Sequence, residues 1–132
     1  MSVLITTSPD ESPETIKRLL AANLFEVFGQ RDAAARSSII AEIYHKDIFW
    51  NEPDRVIRGW EPLGTRAGEI LEEAPGFQFT TDGVPIVTQN LGILSWKFGP
   101  SSAPDLVKGT DVIVVEEGKI KVLWTAVTKI PG

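Results

Sequence analysis

The sequence predicts an α+β domain with the helices first and a mainly antiparallel sheet after them. Apolar residues recur at helical spacing between Ser12 and His45 and again between Trp60 and Ala74, whereas from Phe77 onward β-branched and aromatic stretches follow one another between Gly, Pro, Asn and Asp. Strands grouped after helices argue against an alternating βαβ chain. At 132 residues, without internal repeat or linker, the sequence fits one domain over 1–132, long enough to bury roughly two-thirds of its unfolded surface.

Ser12 is a candidate N-cap, Pro13 suits the first helical position, and Glu14 places a negative charge where the helix dipole favours one. Ile16, Leu19, Leu20, Leu24, Val27 and Phe28 then mark one apolar stripe, predicting a helix through "SPETIKRLLAANLFEVFGQ". Residues 1–11 are expected to be a flexible N-terminus. Asp32 can cap a second helix, "AAARSSIIAEIYH", whose apolar face carries Ile39, Ile40, Ile43 and Tyr44. The Gln30-Arg31 joint makes the pair a helical hairpin.

"KDIFWNEPDRVIRG" predicts two short strands bending at Pro53, and "WEPLGTRAGEILEEAPG" a third helix ending before Pro75-Gly76. Five strands follow: "FQFTT", "VPIVTQN", "LGILSWKFG", "LVKGTDVIVV" and "KIKVLWTAVTK". Glu117-Gly118 is a hairpin turn, and "GPSSAPD" a loop. In "VKGTDVIVV" one face holds Val107, Asp111, Ile113 and Val115, the other Lys108, Val112 and Val114. In the last strand Ile120, Val122 and Trp124 share one side, Leu123 and Val127 the other. Neither face is clearly for water, so the sheet is expected to be covered on both. Three helices cover one; a homodimer through the sheet would cover the other.

Composition narrows the function. The net charge is −5, from 18 acidic against 13 basic residues with no basic run, so nucleic acid is not an expected partner. The absence of Cys excludes thiolate catalysis and cysteine-ligated metal, and a single His excludes a histidine-rich metal site. No segment approaches the ~20 apolar residues of a membrane span. "MSVLITTSPD" has no charged leader, so the expected location is the cytoplasm.

Within this frame one residue is out of place. Asp111 stands inside a strand with two apolar faces, where a buried carboxylate needs a raised pKa or a paired donor. It is either a structural, hydrogen-bonded group or a group poised in a pocket. Glu52, between Asn51 and Pro53 at a strand end, is the second candidate carboxylate, and its alternative is a solvated turn residue. Lys97 and Arg58 are candidate ion-pair partners for either. Asn23 interrupts the apolar stripe of the first helix, and His45 follows the second, where its ring would meet the helix dipole. Trp50, Trp60, Trp96 and Trp124 supply aromatic surface for a core or a ligand.

Order and motifs together resemble the nuclear transport factor 2-like superfamily, above all its SnoaL-like branch of polyketide cyclase-related proteins, with ketosteroid isomerases as relatives. Two N-terminal helices, the carboxylate-Pro pair in "FWNEP", the "RVIRG" strand leading into a helix and the hairpin "GTDVIVVEEGKI" carry the likeness, over about residues 14–129. It implies an α+β cone, a curved mixed sheet around the helices (a cystatin-like fold), and a pocket between the two layers. Asp111 matches the strand aspartate that is the general acid/base of SnoaL-like cyclases and an oxyanion-hole donor in the isomerases. Glu52 matches the isomerase's proton-shuttling aspartate. The tyrosine of that isomerase's oxyanion hole falls near Asn23 or Leu24, where this chain has none, which argues against steroid isomerisation. A scytalone dehydratase-like site needs two histidines and only His45 exists; the Arg-x-Asp of limonene epoxide hydrolase-like sites has no counterpart in "ILSWKFG".

The expectation is therefore a hydrophobic small molecule as partner and proton-transfer chemistry without cofactor or metal. Asp111 and Glu52 would be catalytic, and Trp50, Trp96, Asn23 and His45 would touch substrate. A binding module would leave Glu52 facing solvent, and a mere scaffold would fill the cavity with Trp96 and Phe98.

Overall fold

The computed structural model describes residues 11–132; of the expected flexible N-terminus only Glu11 falls in that range, and residues 1–10 lie outside it. Helix α1 (Pro13–Ala21) begins as the sequence dictates, with the Thr15 amide donating to Ser12 Oγ at 3.2 Å and Pro13 at the first position. The helix does not continue unchanged to Gln30. From Ala22 to Phe28 it widens into a π-helical segment, closed by the Gly29 amide donating to the Leu24 carbonyl five residues back at 2.8 Å. Such segments often accompany functional sites, and this one buries Asn23, Leu24, Val27 and Phe28.

Asp32 caps α2 (Ala33–Ile43), accepting from the Ala35 amide at 2.8 Å. The sequence reading carries this helix on through Tyr44 and His45, but the structure stops it at Ile43. Tyr44 is already extended and pairs with Ile120, because a place in the sheet satisfies its backbone as a further helical turn would. Strand β1 (Tyr44–Asn51) thus starts two residues before the expected stretch, which begins at Lys46, and turns back at Pro53 into β2 (Val56–Arg58). Helix α3 (Trp60–Glu73) has no basic residue in its last turn; Arg31, from the α1–α2 joint, donates to the carbonyls of Leu71, Ala74 and Phe77 at 2.8–2.9 Å instead.

The remaining strands are β3 (Gln78–Thr81), β4 (Ile86–Thr88), β5 (Leu91–Gly99), β6 (Val107–Glu116) and β7 (Lys119–Lys129). The sheet runs β2-β1-β7-β6-β5-β3 with β4 also on β5, and only the β1–β7 pair is parallel. This is the α+β, mixed and mainly antiparallel architecture expected. At the β6–β7 turn Glu117 and Gly118 both take positive φ, 53° and 77°, the left-handed pair a two-residue hairpin requires.

One register detail corrects the sequence reading. The β6–β7 ladder shifts by a residue between Val115↔Ile120 and Val114↔Val122, leaving Lys121 as a bulge. Ile120 is therefore on the buried face with Leu123, and Val122 and Trp124 lie on the opposite face. The helices cover the face that carries Ile113, Val115, Ile120 and Leu123, all fully buried with Ile16, Leu19, Leu20, Leu63 and Ala67.

Candidate functional site

A pocket of about 630 Å³ opens between the π-helical segment, α3 and the covered face of the sheet. The volume suits a small molecule of two or three rings. Its lining is chiefly apolar, with Phe28, Trp50, Phe79, Trp96 and Phe98 among the walls, and both sequence-nominated carboxylates face it. Trp96 and Phe98 line the space and do not fill it, which is the outcome a mere scaffold would not give.

Asp111 reaches the pocket from the middle of β6, 5% exposed. Each oxygen has one neutral donor. Asn23 Nδ2 donates to Oδ2 at 3.1 Å, and Thr125 Oγ1 donates to Oδ1 at 3.0 Å from the facing position of β7. Behind them stands a second layer: Trp50 Nε1 donates to Thr125 Oγ1 at 3.0 Å, and the Tyr44 hydroxyl donates to Asn23 Oδ1. Burial pushes the Asp111 carboxyl up to about 6, with the neighbouring Trp96, Thr125 and Asn23 donors pulling the other way. Among the described residues no cation offsets the burial, so three neutral dipoles reduce its cost without cancelling it. The same burial, with the Asp111 charge nearby, raises the Tyr44 hydroxyl well above its ordinary value, so it stays a donor.

Trp96 behaves differently from Trp50. It lies directly opposite Gly109 on β6, and a Cβ there would sit 2.2 Å from Cζ2 of the indole. Only glycine leaves room for the indole at this place on β6. Its Nε1 is close enough to favour the ionised carboxylate, yet it is not in hydrogen-bond geometry with any group: among the described residues it is the buried side-chain donor without a partner.

Glu52 sits at the pocket's other polar end, where its backbone N–H closes the bend by donating to the Arg55 carbonyl at 2.8 Å. Its side chain is only 6% exposed, so it is not the solvated turn residue that a loop carboxylate usually is. Arg66 Nε, from α3, contacts both of its oxygens at 3.2 and 3.3 Å, and Arg55 lies 3.7 Å away. Neither Lys97 nor Arg58, the partners suggested by sequence, makes this pair; the Arg58 guanidinium stacks 4.1 Å over Phe49.

The other nominated residues divide. Trp50 and Trp96 line the pocket. Asn23, fully buried, stands behind Asp111 and not in the pocket wall. His45 is in β1, not at a helix end, and its ring nitrogen meets the Glu116 carbonyl at 2.8 Å outside the pocket lining. Residues missed by the sequence reading are Thr125, Tyr44 and Arg66. Among the described residues no group of three His, Asp or Glu is arranged to hold a metal ion, and no helix is long and apolar enough to cross a membrane.

Comparison with known proteins places the fold. No protein-family model matches the sequence, and no curated protein sequence matches it significantly. Solved structures do. One named as an isomerase of the SnoaL-like family, from Agrobacterium tumefaciens, superposes with a TM-score of 0.80 at 18% identity, over 87% of this chain and 98% of that one. A protein named as a SnoaL-like polyketide cyclase from Jannaschia sp. gives 0.72 at 10% identity, over 92% and 90%. A nuclear transport factor 2-like protein of unknown function from Mesorhizobium loti gives 0.68 at 19%, over 94% and 99%. The chain thus has the SnoaL-like, nuclear transport factor 2-like fold that its motifs resemble.

Proposed function

We propose that this protein binds a hydrophobic, carbonyl-bearing small molecule and performs proton transfer on it, as a cyclase or isomerase, with Asp111 as general acid/base. The observation that carries the reading is a carboxyl buried in an apolar pocket, pushed up to about 6 and held on both oxygens by neutral donors. Near pH 7 such a group is mostly ionised and still basic enough to take a proton from carbon beside a carbonyl, then return it as the acid. That exchange requires no cofactor. Glu52 is the second carboxylate of the site. Because Arg66 occupies its oxygens, we assign it the polar end of the ligand and leave the proton-transfer step to Asp111.

Exchange of α-protons for deuterium in 2-tetralone, a bicyclic ketone that suits the pocket, followed by NMR, tests this without knowledge of the natural substrate. Asp111→Asn is expected to lower the catalysed rate by roughly 10²- to 10⁴-fold with the fold intact; an unchanged rate rejects the assignment. A second reading has its own support, since Asn23 and Thr125 occupy both Asp111 oxygens as they would in a purely structural group. Under that reading the domain binds ketones without exchanging their protons.

The expected homodimer enters here too. On the sheet face away from the helices Trp124 is 44% exposed and stands beside Val112, Val114 and Val122 in the ladder. Such an apolar face suits burial against a second copy. Light scattering is expected to give twice the chain mass for wild type and the chain mass for Trp124→Asp; a wild-type monomer at tens of micromolar sinks the dimer.

A further inference from the structure

We propose that Arg66 recognises a second polar group on the ligand, and that this group is an uncharged oxygen acceptor, such as an amide, ester or ketone oxygen, and not a carboxylate. This rests on the reading of the pocket as a ketone site with Asp111 as its acid/base, and narrows the class of ligand that fits it.

The Arg66 guanidinium is only partly used by the protein. Its Nε contacts both Glu52 oxygens at 3.2 and 3.3 Å, whereas Nη1 lies 3.9 Å from Glu69 Oε1 and neither terminal nitrogen donates a hydrogen bond to a described residue. The N–H donors of both terminal nitrogens therefore remain for a ligand. They are also within reach, because the side chain is partly exposed, lines the pocket and has no buried unpartnered atom. Glu52, itself almost fully covered, holds the group at Nε. Asp111 on β6 and Arg66 on α3 thus offer one polar contact in each layer of the fold, and two such contacts orient a flat apolar ligand as hydrophobic walls alone do not.

Charge decides what that contact accepts. An open guanidinium edge ordinarily suits a carboxylate or phosphate. Here the surroundings oppose one: among the residues that line the pocket Arg66 is the one base, against the acids Glu52, Asp54, Glu73 and Asp111. Glu52 already offsets the Arg66 charge, and the second arginine of the ion-pair group, Arg55, lies beside Asp54 as well as Glu52. An anionic ligand would add a like charge to an acidic, largely apolar cavity, a juxtaposition that costs several kcal/mol in interfaces generally. A neutral oxygen takes the same donors without that repulsion.

The test uses 2-tetralones that carry, at ring carbon 6 or 7, a carboxamide, a carboxylate or an isopropenyl group, which are planar and nearly equal in shape. By calorimetry on the full chain, wild type is expected to bind the better carboxamide isomer roughly tenfold tighter than its isopropenyl counterpart, as a hydrogen bond from a charged donor would give. The carboxylate should bind at least tenfold more weakly than the carboxamide, and added salt should narrow that gap by screening the repulsion. Neither comparison requires a variant to fold. In Glu52→Gln/Arg66→Met, which removes both charges together and so orphans neither, the carboxamide should lose its advantage over isopropenyl. A carboxylate that binds tighter than the carboxamide, a carboxamide no better than isopropenyl, or an advantage that survives in the double variant overturns the proposal. A carboxamide preference without exchange of the ketone α-protons would keep Arg66 as the recognition donor and reject the Asp111 acid/base reading. Exchange without the preference would do the reverse.

Discussion

The two carboxylates of the pocket show opposite ways of keeping a charge away from water. Asp111 has only neutral donors around it, and burial outweighs them, so its carboxyl is displaced upward to about 6. Glu52, with a side chain equally hidden, lies against the guanidinium of Arg66 and near that of Arg55. An ion pair satisfies a carboxylate and ties up its lone pairs, whereas a ring of dipoles leaves it costly and reactive. Burial alone therefore does not nominate a catalytic acid. What matters is whether the compensating groups carry charge.

The largest effect that could break this contrast lies at Asp111, where Asp111→Asn is expected to remove most catalysed exchange. The same substitution exposes the cost of the site. A folded-state pKa raised from 3.8 to about 6 means the protonated form favours folding. That contribution is complete below pH 4 and is lost as pH rises through 6, a change of about 3 kcal/mol. Asn cannot ionise, so in urea melts Asp111→Asn should gain stability relative to wild type between pH 4 and pH 7. A difference that stays flat across this window would show that Asp111 is not displaced. Exchange should rise over the same interval, as the base forms.

The reason Asp111 was legible and its partners were not lies in range. A carboxylate between apolar neighbours on a strand is a local anomaly, visible in "KGTDVIVV" alone, and so are Ser12, Asp32 and the Glu117-Gly118 turn. The partners depend on register. Counting back evenly from the turn sets Asp111 opposite Trp124, and only the bulge at Lys121 moves Thr125 there and sends Trp124 to the other face. Nothing local in "EGKIKVLW" announces that bulge. Tyr44 reads as the last residue of a helical stripe, and only its long-range pairing with Ile120 makes it a strand residue whose hydroxyl reaches Asn23. Arg66 lies on α3, 14 residues from Glu52, and their meeting depends on how that helix crosses the end of β1. Trp96 reads as an aromatic wall; its place over Gly109 and close to Asp111 is a property of packing.

At Glu52 the contrast predicts a stability effect more than a catalytic one. Glu52→Gln leaves the Arg66 charge, 19% exposed, without its main partner, at an expected cost of about 2–3 kcal/mol in chemical denaturation. Exchange per folded molecule should fall far less than in Asp111→Asn. Because the cost comes from the orphaned cation, Arg66→Met added to Glu52→Gln should recover much of it. A loss of exchange as large as that at Asp111 would instead make Glu52 a proton-transfer group and remove the distinction between the two carboxylates.

The smallest expected effect probes the second layer of donors. Thr125→Val keeps the shape and removes the hydroxyl that donates to Asp111 and accepts from Trp50 Nε1. Two consequences separate. The Trp50 N–H, in a ring 2% exposed, loses its acceptor, at an expected cost of about 1–2 kcal/mol in stability. Asp111 loses a donor that favours its ionised form, so the midpoint of the exchange profile should move to higher pH and activity near neutrality should fall with it. Thr125→Ser restores the hydroxyl without the methyl group and should return the midpoint toward wild type. A hydroxyl that served Trp50 alone would change stability and leave the midpoint where it was, and the pH profile distinguishes the two. Because the substitution leaves the Arg66 pair untouched, any movement of the profile reports on the dipole-held carboxyl and not on the ion-paired one.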